Sequence, residues 1–217
     1  LGVALFAILR DGGTPVTQPT DRPAPPSTTP GGEPSGDPSD GPRPTADPDE
    51  GLVAGTGPVR VDVYVDYQCP PCSTFELRTG GALDGYLASG RITLRIHPVA
   101  FVDERSKNNY ATRAAAASAC AYESGKLTEF HAHLLRNQPA EDTFGPTDEQ
   151  LARAGRDLGL DEEFGRCVTE GRLVDWVARA TSAAQADGVS SVPAVRVDGR
   201  EVEAERADLV EAITNAR

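Results

Sequence analysis

At Val59 the chain changes character. VRVDVYVD alternates valine with polar or aromatic residues, the two-residue period of a strand. The next segment, STFELRTGGALDGYLASG, keeps apolar residues at helical spacing, with Gly80 and Gly81 expected to bend or interrupt the helix. RITLRIHPV then alternates again up to Pro98. Strand, helix and strand in that order make a parallel crossover unit, which restricts the fold to the α/β class. At the seam between the first strand and the helix stand two cysteines, in YVDYQCPPCSTFE.

Downstream, start and stop signals divide a long helical stretch into pieces. SKNNYATRAAAASACAYESG ends at Gly125, and LTEFHAHLLRNQ stops before Pro139. Thr147 opens TDEQLARAGRDLG with Gln150 three residues on, a capping-box pattern. DEEFGRCVTEG is short, and GRLVDWVARATSAAQADG closes at Gly188, a residue suited to a left-handed cap. VSSVPAVRVDGREVEA then places Asp198-Gly199 between two β runs, a strong hairpin signal, and a last helix is predicted from about Glu205 to Ala216. The order is βαβ, a helical insert over about 103–187, then ββα.

Upstream, residues 11–58 are Pro, Gly, Ser, Thr and Asp with almost no large apolar side chain. Nothing there offsets the entropy of ordering, so the stretch reads as a disordered linker ahead of a domain at 59–217. Before it, LGVALFAIL is closed by Arg10. This run is too short for a bilayer, which takes about 20 residues. The sequence lacks methionine, and residues 1–10 are read as the remnant of a membrane anchor in preference to a signal segment. Either reading makes the domain exported. The net charge of −12 argues against nucleic acid, since phosphate binding wants clustered Lys and Arg.

Cys69 and Cys72 invite three readings. Structural zinc needs four ligands, and no second C-x-x-C or H-x3–5-H pair exists; His131 and His133, two apart on a helix, point to different faces and read as surface or packing residues. No metal is expected. As a staple, a two-residue loop removes little chain entropy. As a reactive bond the pair is well placed: free N–H groups and the dipole at a helix N-terminus stabilise a thiolate. C-x-x-C after a strand in a βαβ setting therefore reads as a redox motif.

YVDYQCPPCSTF, GVSSVPAVRVDG and the helical block between them resemble the DsbA-like thiol-disulfide oxidoreductases of the thioredoxin superfamily. The resemblance covers roughly Val59 to the C-terminus. It implies a thioredoxin-like α/β fold with an inserted all-helical subdomain, Cys69 as the exposed nucleophile, Cys72 as the more buried resolving thiol, and Pro193 as a cis-proline facing them. It also implies that Val192 offers backbone groups to an extended client segment, beside Pro70 and Pro71. Many relatives carry a buried acid six residues before the first cysteine, where this chain has Val63. Asp66 fits a pattern common among DsbA-like relatives; it is read either as a proton or electrostatic group or simply as an acid at a strand end. Neither Pro70 nor Pro71 has an N–H, so a Cys69 thiolate draws donors only from Cys72 onward and should be a moderate acid. Four cysteines permit three pairings and the sequence does not choose among them. The resemblance implies an extra bridge in the helical domain between Cys120 and Cys167; the alternative is two buried free thiols. Trp176, Tyr86, Phe75, Phe130 and Phe164 read as core or groove-lining aromatics.

The function expected on this basis is disulfide formation in translocated proteins by dithiol–disulfide exchange. Both electrons reside on sulfur, so no cofactor is needed. The partners expected are reduced or unfolded exported proteins and a membrane oxidase of the DsbB or VKOR type. The chain is expected to work as a monomer, tethered at the extracytoplasmic face of the membrane or free in the periplasm or medium. Two alternatives stay open: a reductase or isomerase with the same site, and a redox-inactive module that binds extended peptides.

Overall fold

A computed structural model describes residues 45–216. In chain order the strands are β1 (Leu52–Ala54), β2 (Val59–Val65), β3 (Ile92–Pro98), β4 (Ala194–Val197) and β5 (Arg200–Val202). The helices are α1 (Pro70–Ala88), α2 (Tyr110–Glu123), α3 (Leu127–Arg136), α4 (Asp148–Asp157), α5 (Glu162–Thr169), α6 (Val174–Ala186) and α7 (Arg206–Asn215). They form one five-stranded sheet in the order β1-β3-β2-β4-β5. β2 and β3 run parallel with Val61 opposite Leu94, as a helical crossover requires, and every other pair is antiparallel.

The valine period of β2 explains its central place. Val59, Val61, Val63 and Val65 enter the main core with Phe75 and Leu83 of α1 and Leu209 and Ile213 of α7. On the other face Tyr64 packs with Val99, Ala184 and Val189. A strand buried on both faces holds its C-terminal end rigidly, and that end carries the cysteines. The hairpin between β4 and β5 turns through Asp198 and Gly199, both at positive φ (48° and 78°). That is the backbone an Asp-Gly two-residue loop supplies.

Two expectations need correction. The folded chain begins before Val59: β1 pairs along β3 with Leu52 fully buried, inside the stretch read as linker. Only three residues long and flanked by Gly51 and Gly55 at positive φ, β1 carries too little period to be seen in sequence. The segment 1–10 and linker residues before 45 lie outside the described residues. The second correction concerns α1, which runs unbroken through Gly80 and Gly81. Phe75, Thr79 and Leu83 are buried along one face, and this packing outweighs the roughly 1 kcal/mol that each glycine costs a helix.

The insert packs on its own apolar residues. Phe130 of α3 meets Phe164 of α5 edge-on at 5.0 Å. Trp176 and Phe75 are buried as well, while Tyr86 is partly so. Thr147 caps α4 reciprocally with Gln150. Cys120 in α2 and Cys167 in α5 form a disulfide.

Candidate active site

β2 ends at Val65, and the chain turns through Asp66, Tyr67 and Gln68 before α1 begins. Cys69 is the N-cap of α1 in extended conformation, and Pro70 and Pro71 fill the first turn, where a missing N–H leaves no intrahelical bond unmade. Both cysteines are free thiols. Cys72 has no exposure and Cys69 only 6%, so the expected exposed nucleophile is largely covered. Its cover is the 192–193 loop: the Cys69 thiol donates to the Val192 carbonyl at 3.5 Å, and the Val192–Pro193 bond is cis. Pro70, Pro71, Thr74, Phe75, Arg78, Pro193, Ala204 and Glu205 line a cleft of about 510 Å³ beside the pair.

The electrostatics divide the two sulfurs. The Cys72 thiol hydrogen-bonds Cys69 and holds its pKa below the usual thiol value; burial opposes this, and the Cys72 backbone N–H adds to it. That N–H is the first donor beyond the two prolines. The same bond, reinforced by burial, pushes Cys72 far up. One sulfur ionises readily and the other keeps its proton, which suits an attacking thiolate with a resolving partner.

Asp66 is fully buried beneath the turn. Its Oδ1 accepts from the Gln68 N–H at 2.8 Å and its Oδ2 from the Val102 N–H at 3.0 Å. Burial still outweighs those bonds and raises its pKa to about 6. Its charge in turn raises the pKa of Cys69. Two amides tie the turn to the insert. The Gln138 side chain donates to the Cys69 carbonyl at 3.0 Å, and the Gln68 side chain donates to the Ala140 carbonyl at 3.0 Å. Neither glutamine stands out in sequence. Cys120 and Cys167 belong to the insert and stay apart from this site. Among the described residues, no group of three His, Cys, Asp or Glu side chains could hold a metal.

A sequence model of the family described as Thioredoxin matches residues 54–215, and the chain belongs to that family. Among solved structures, the reduced disulfide bond oxidoreductase DsbG of Mycobacterium tuberculosis is 28% identical with a TM-score of 0.70, over 78% of this chain and 88% of that one. Reduced DsbA of the same organism is 26% identical with a TM-score of 0.68, over 76% and 91%. Within the thioredoxin superfamily the chain is therefore DsbA-like, and its dithiol is that of a protein disulfide oxidoreductase. The serine/threonine-protein kinase PknE of M. tuberculosis is 30% identical over 146 residues, 63% of this chain. The chain spans about a quarter (26%) of the length of the curated relatives it matches.

Proposed function

We propose that this chain oxidises thiols in exported client proteins, with Cys69 as the nucleophilic sulfur and Cys72 as the resolving one. The observation that carries the reading is the pairing of an acidified Cys69 at the head of α1 with the Val192–Pro193 loop 3.5 Å away. In the oxidised enzyme a client thiolate attacks the Cys69 sulfur. The bond to Cys72 breaks, its electron pair moves to Cys72, and a mixed disulfide joins client and enzyme. A second client thiolate attacks the client sulfur of that bond and expels Cys69 as thiolate. The client gains a disulfide, and the enzyme holds two electrons as a dithiol.

Val192 and Pro193 border the approach to Cys69, and Pro70, Pro71 and the cleft behind them receive the flanking client residues. Asp66 acts electrostatically: both its oxygens are occupied by backbone N–H groups, and its charge works against the ionisation of Cys69 that the Cys72 hydrogen bond favours. A membrane oxidase of the DsbB or VKOR type removes the electrons. The domain works as a monomer at the extracytoplasmic face, tethered through its N-terminal segment.

Refolding of a reduced, denatured disulfide protein tests this reading. Wild type should restore client activity and Cys69→Ser should not; equal behaviour would leave only a peptide-binding module. Equilibration with glutathione fixes direction, since strong oxidants lie near about −120 mV and thioredoxin near about −270 mV. A potential below about −250 mV would make the chain a reductase.

A further inference from the structure

The two prolines leave the Cys69 sulfur short of hydrogen-bond donors. Pro70 and Pro71 carry no N–H, so the first backbone donor past Cys69 belongs to Cys72. Two acceptors compete for it. The Cys69 carbonyl takes that N–H at 2.9 Å and the Ser73 N–H at a longer 3.4 Å. The Cys69 sulfur, at the N-cap of α1, needs the same Cys72 N–H when it ionises.

The carbonyl has one more donor, and it comes from the insert. Gln138 Nε2 reaches it at 3.0 Å from the loop that follows α3. Contacts on either side hold that loop against α1 and the turn before it. On one side the Arg136 guanidinium donates to Glu76 Oε1 at 3.0 Å. Glu76 is buried, 3.9 Å from His131 Nε2, and the other ring nitrogen of His131 lies 2.9 Å from the Tyr67 hydroxyl. A Cβ on Gly80 would sit 2.5 Å from Glu76 Oε1, so the glycine that sequence alone reads as a helix breaker makes room for this carboxylate. On the other side the Ala140 carbonyl accepts from Gln68 at 3.0 Å, and Pro139 restricts the backbone between them. The Gln138 amide is therefore pinned from both sides over the Cys69 carbonyl.

We propose that Gln138 is a positioning residue for the nucleophile: its amide engages the Cys69 carbonyl and so leaves the Cys72 N–H to the Cys69 thiolate. This deepens, and rests on, the disulfide-exchange reading, in which Cys69 is the sulfur that attacks and leaves. A carbonyl bonded by Gln138 holds the Cys72 N–H less strongly, because its lone pairs are engaged and the amide dipole offsets its partial negative charge. As charge develops on sulfur the N–H turns to it, since a charge-assisted hydrogen bond is the stronger of the two. Without Gln138 the carbonyl would keep the N–H and present its negative end beside the thiolate. The other groups acting on Cys69 are the Cys72 thiol, which favours ionisation, and the Asp66 and Glu141 carboxylates, which oppose it. The prolines of the first turn take donors away from the sulfur, and an amide from the insert gives one back.

The test titrates the reduced protein, with thiolate absorbance reporting Cys69 and the Cys72 amide proton, followed by NMR, reporting its own hydrogen bond. In wild type that proton should move downfield as Cys69 ionises. Gln138→Met keeps the side-chain length without the donor. It should raise the Cys69 pKa, so that the thiolate fraction well below that pKa falls about threefold, and it should shrink the Cys72 amide step. Against glutathione above both pKa values, its disulfide should be about threefold harder to reduce, a potential about 14 mV more negative. Gln138→Lys returns a donor to the carbonyl and should restore the amide step. Gln138→Ala, which also lacks the donor, takes the place of the methionine variant should that one not fold. If the donorless variant matches wild type in pKa and amide step, or the lysine variant loses the step as fully, the proposal falls. A wild-type Cys69 that titrates at the ordinary thiol value would instead overturn its role as the nucleophile.

Discussion

Burial of Asp66 should be visible in the stability of the whole domain. In the folded protein its pKa stands at about 6 against an ordinary 3.8. Between those values the folded state binds the proton and the unfolded state does not. The resulting stabilisation is complete below about pH 4 and is lost as pH rises through 6. A displacement of about 2 units at about 1.4 kcal/mol each gives about 3 kcal/mol. With a urea slope of about 2 kcal/mol/M, the wild-type midpoint should fall by about 1.5 M from pH 4 to pH 7 on account of this group. Asp66→Asn removes the titration and one backbone acceptor. The lost acceptor lowers stability by about 1–2 kcal/mol at every pH, an offset rather than a slope. The quantity to measure is therefore the difference between the two urea profiles across that range. Parallel profiles would refute the reasoning. The variant should also show a lower Cys69 pKa by thiolate absorbance above pH 6, because the Asp66 charge no longer opposes ionisation.

Replacing Cys120 and Cys167 with alanine opens a loop of sequence separation 47, which is worth about 4 kcal/mol in the chain-entropy model. Calorimetry should find Tm lower by about 8–16 °C with the glutathione potential of Cys69 unchanged, and a loss below about 1 kcal/mol would contradict the model. Glycine substitutions should split by location. Gly155→Ala drives a Cβ into the Phe164 ring and should lose about 1–3 kcal/mol in urea unfolding, whereas Gly81→Ala meets nothing within 4 Å and should gain about 0.5–1 kcal/mol.

Periodicity and spacing made much of the molecule legible in sequence. The valines of β2, the helical spacing after Cys72, the Thr147–Gln150 cap and the Asp198-Gly199 turn each report a local preference that the structure keeps. The two sulfurs were legible because C-x-x-C at a strand-to-helix seam has few other uses. What stayed hidden depends on contacts between distant segments. β1 exists because β3 offers it an edge, and its three residues have no pattern of their own. The proximity of Glu76, His131 and Tyr67 was equally invisible, since a charged residue inside a helix ordinarily reads as solvated. Its one sequence trace is Gly80 four residues after Glu76, and that spacing acquires meaning only once α3 covers the carboxylate.

The reciprocal amides of Gln68 and Gln138 tie the fate of the helical block to the sulfur chemistry. Exchanging that block for another, to alter which clients are accepted, would also remove a donor from the carbonyl of Cys69 and an acceptor from its neighbour. Grafts that keep residues 138–140 should hold the nucleophile's bearing; those that discard them would change client range and reactivity together.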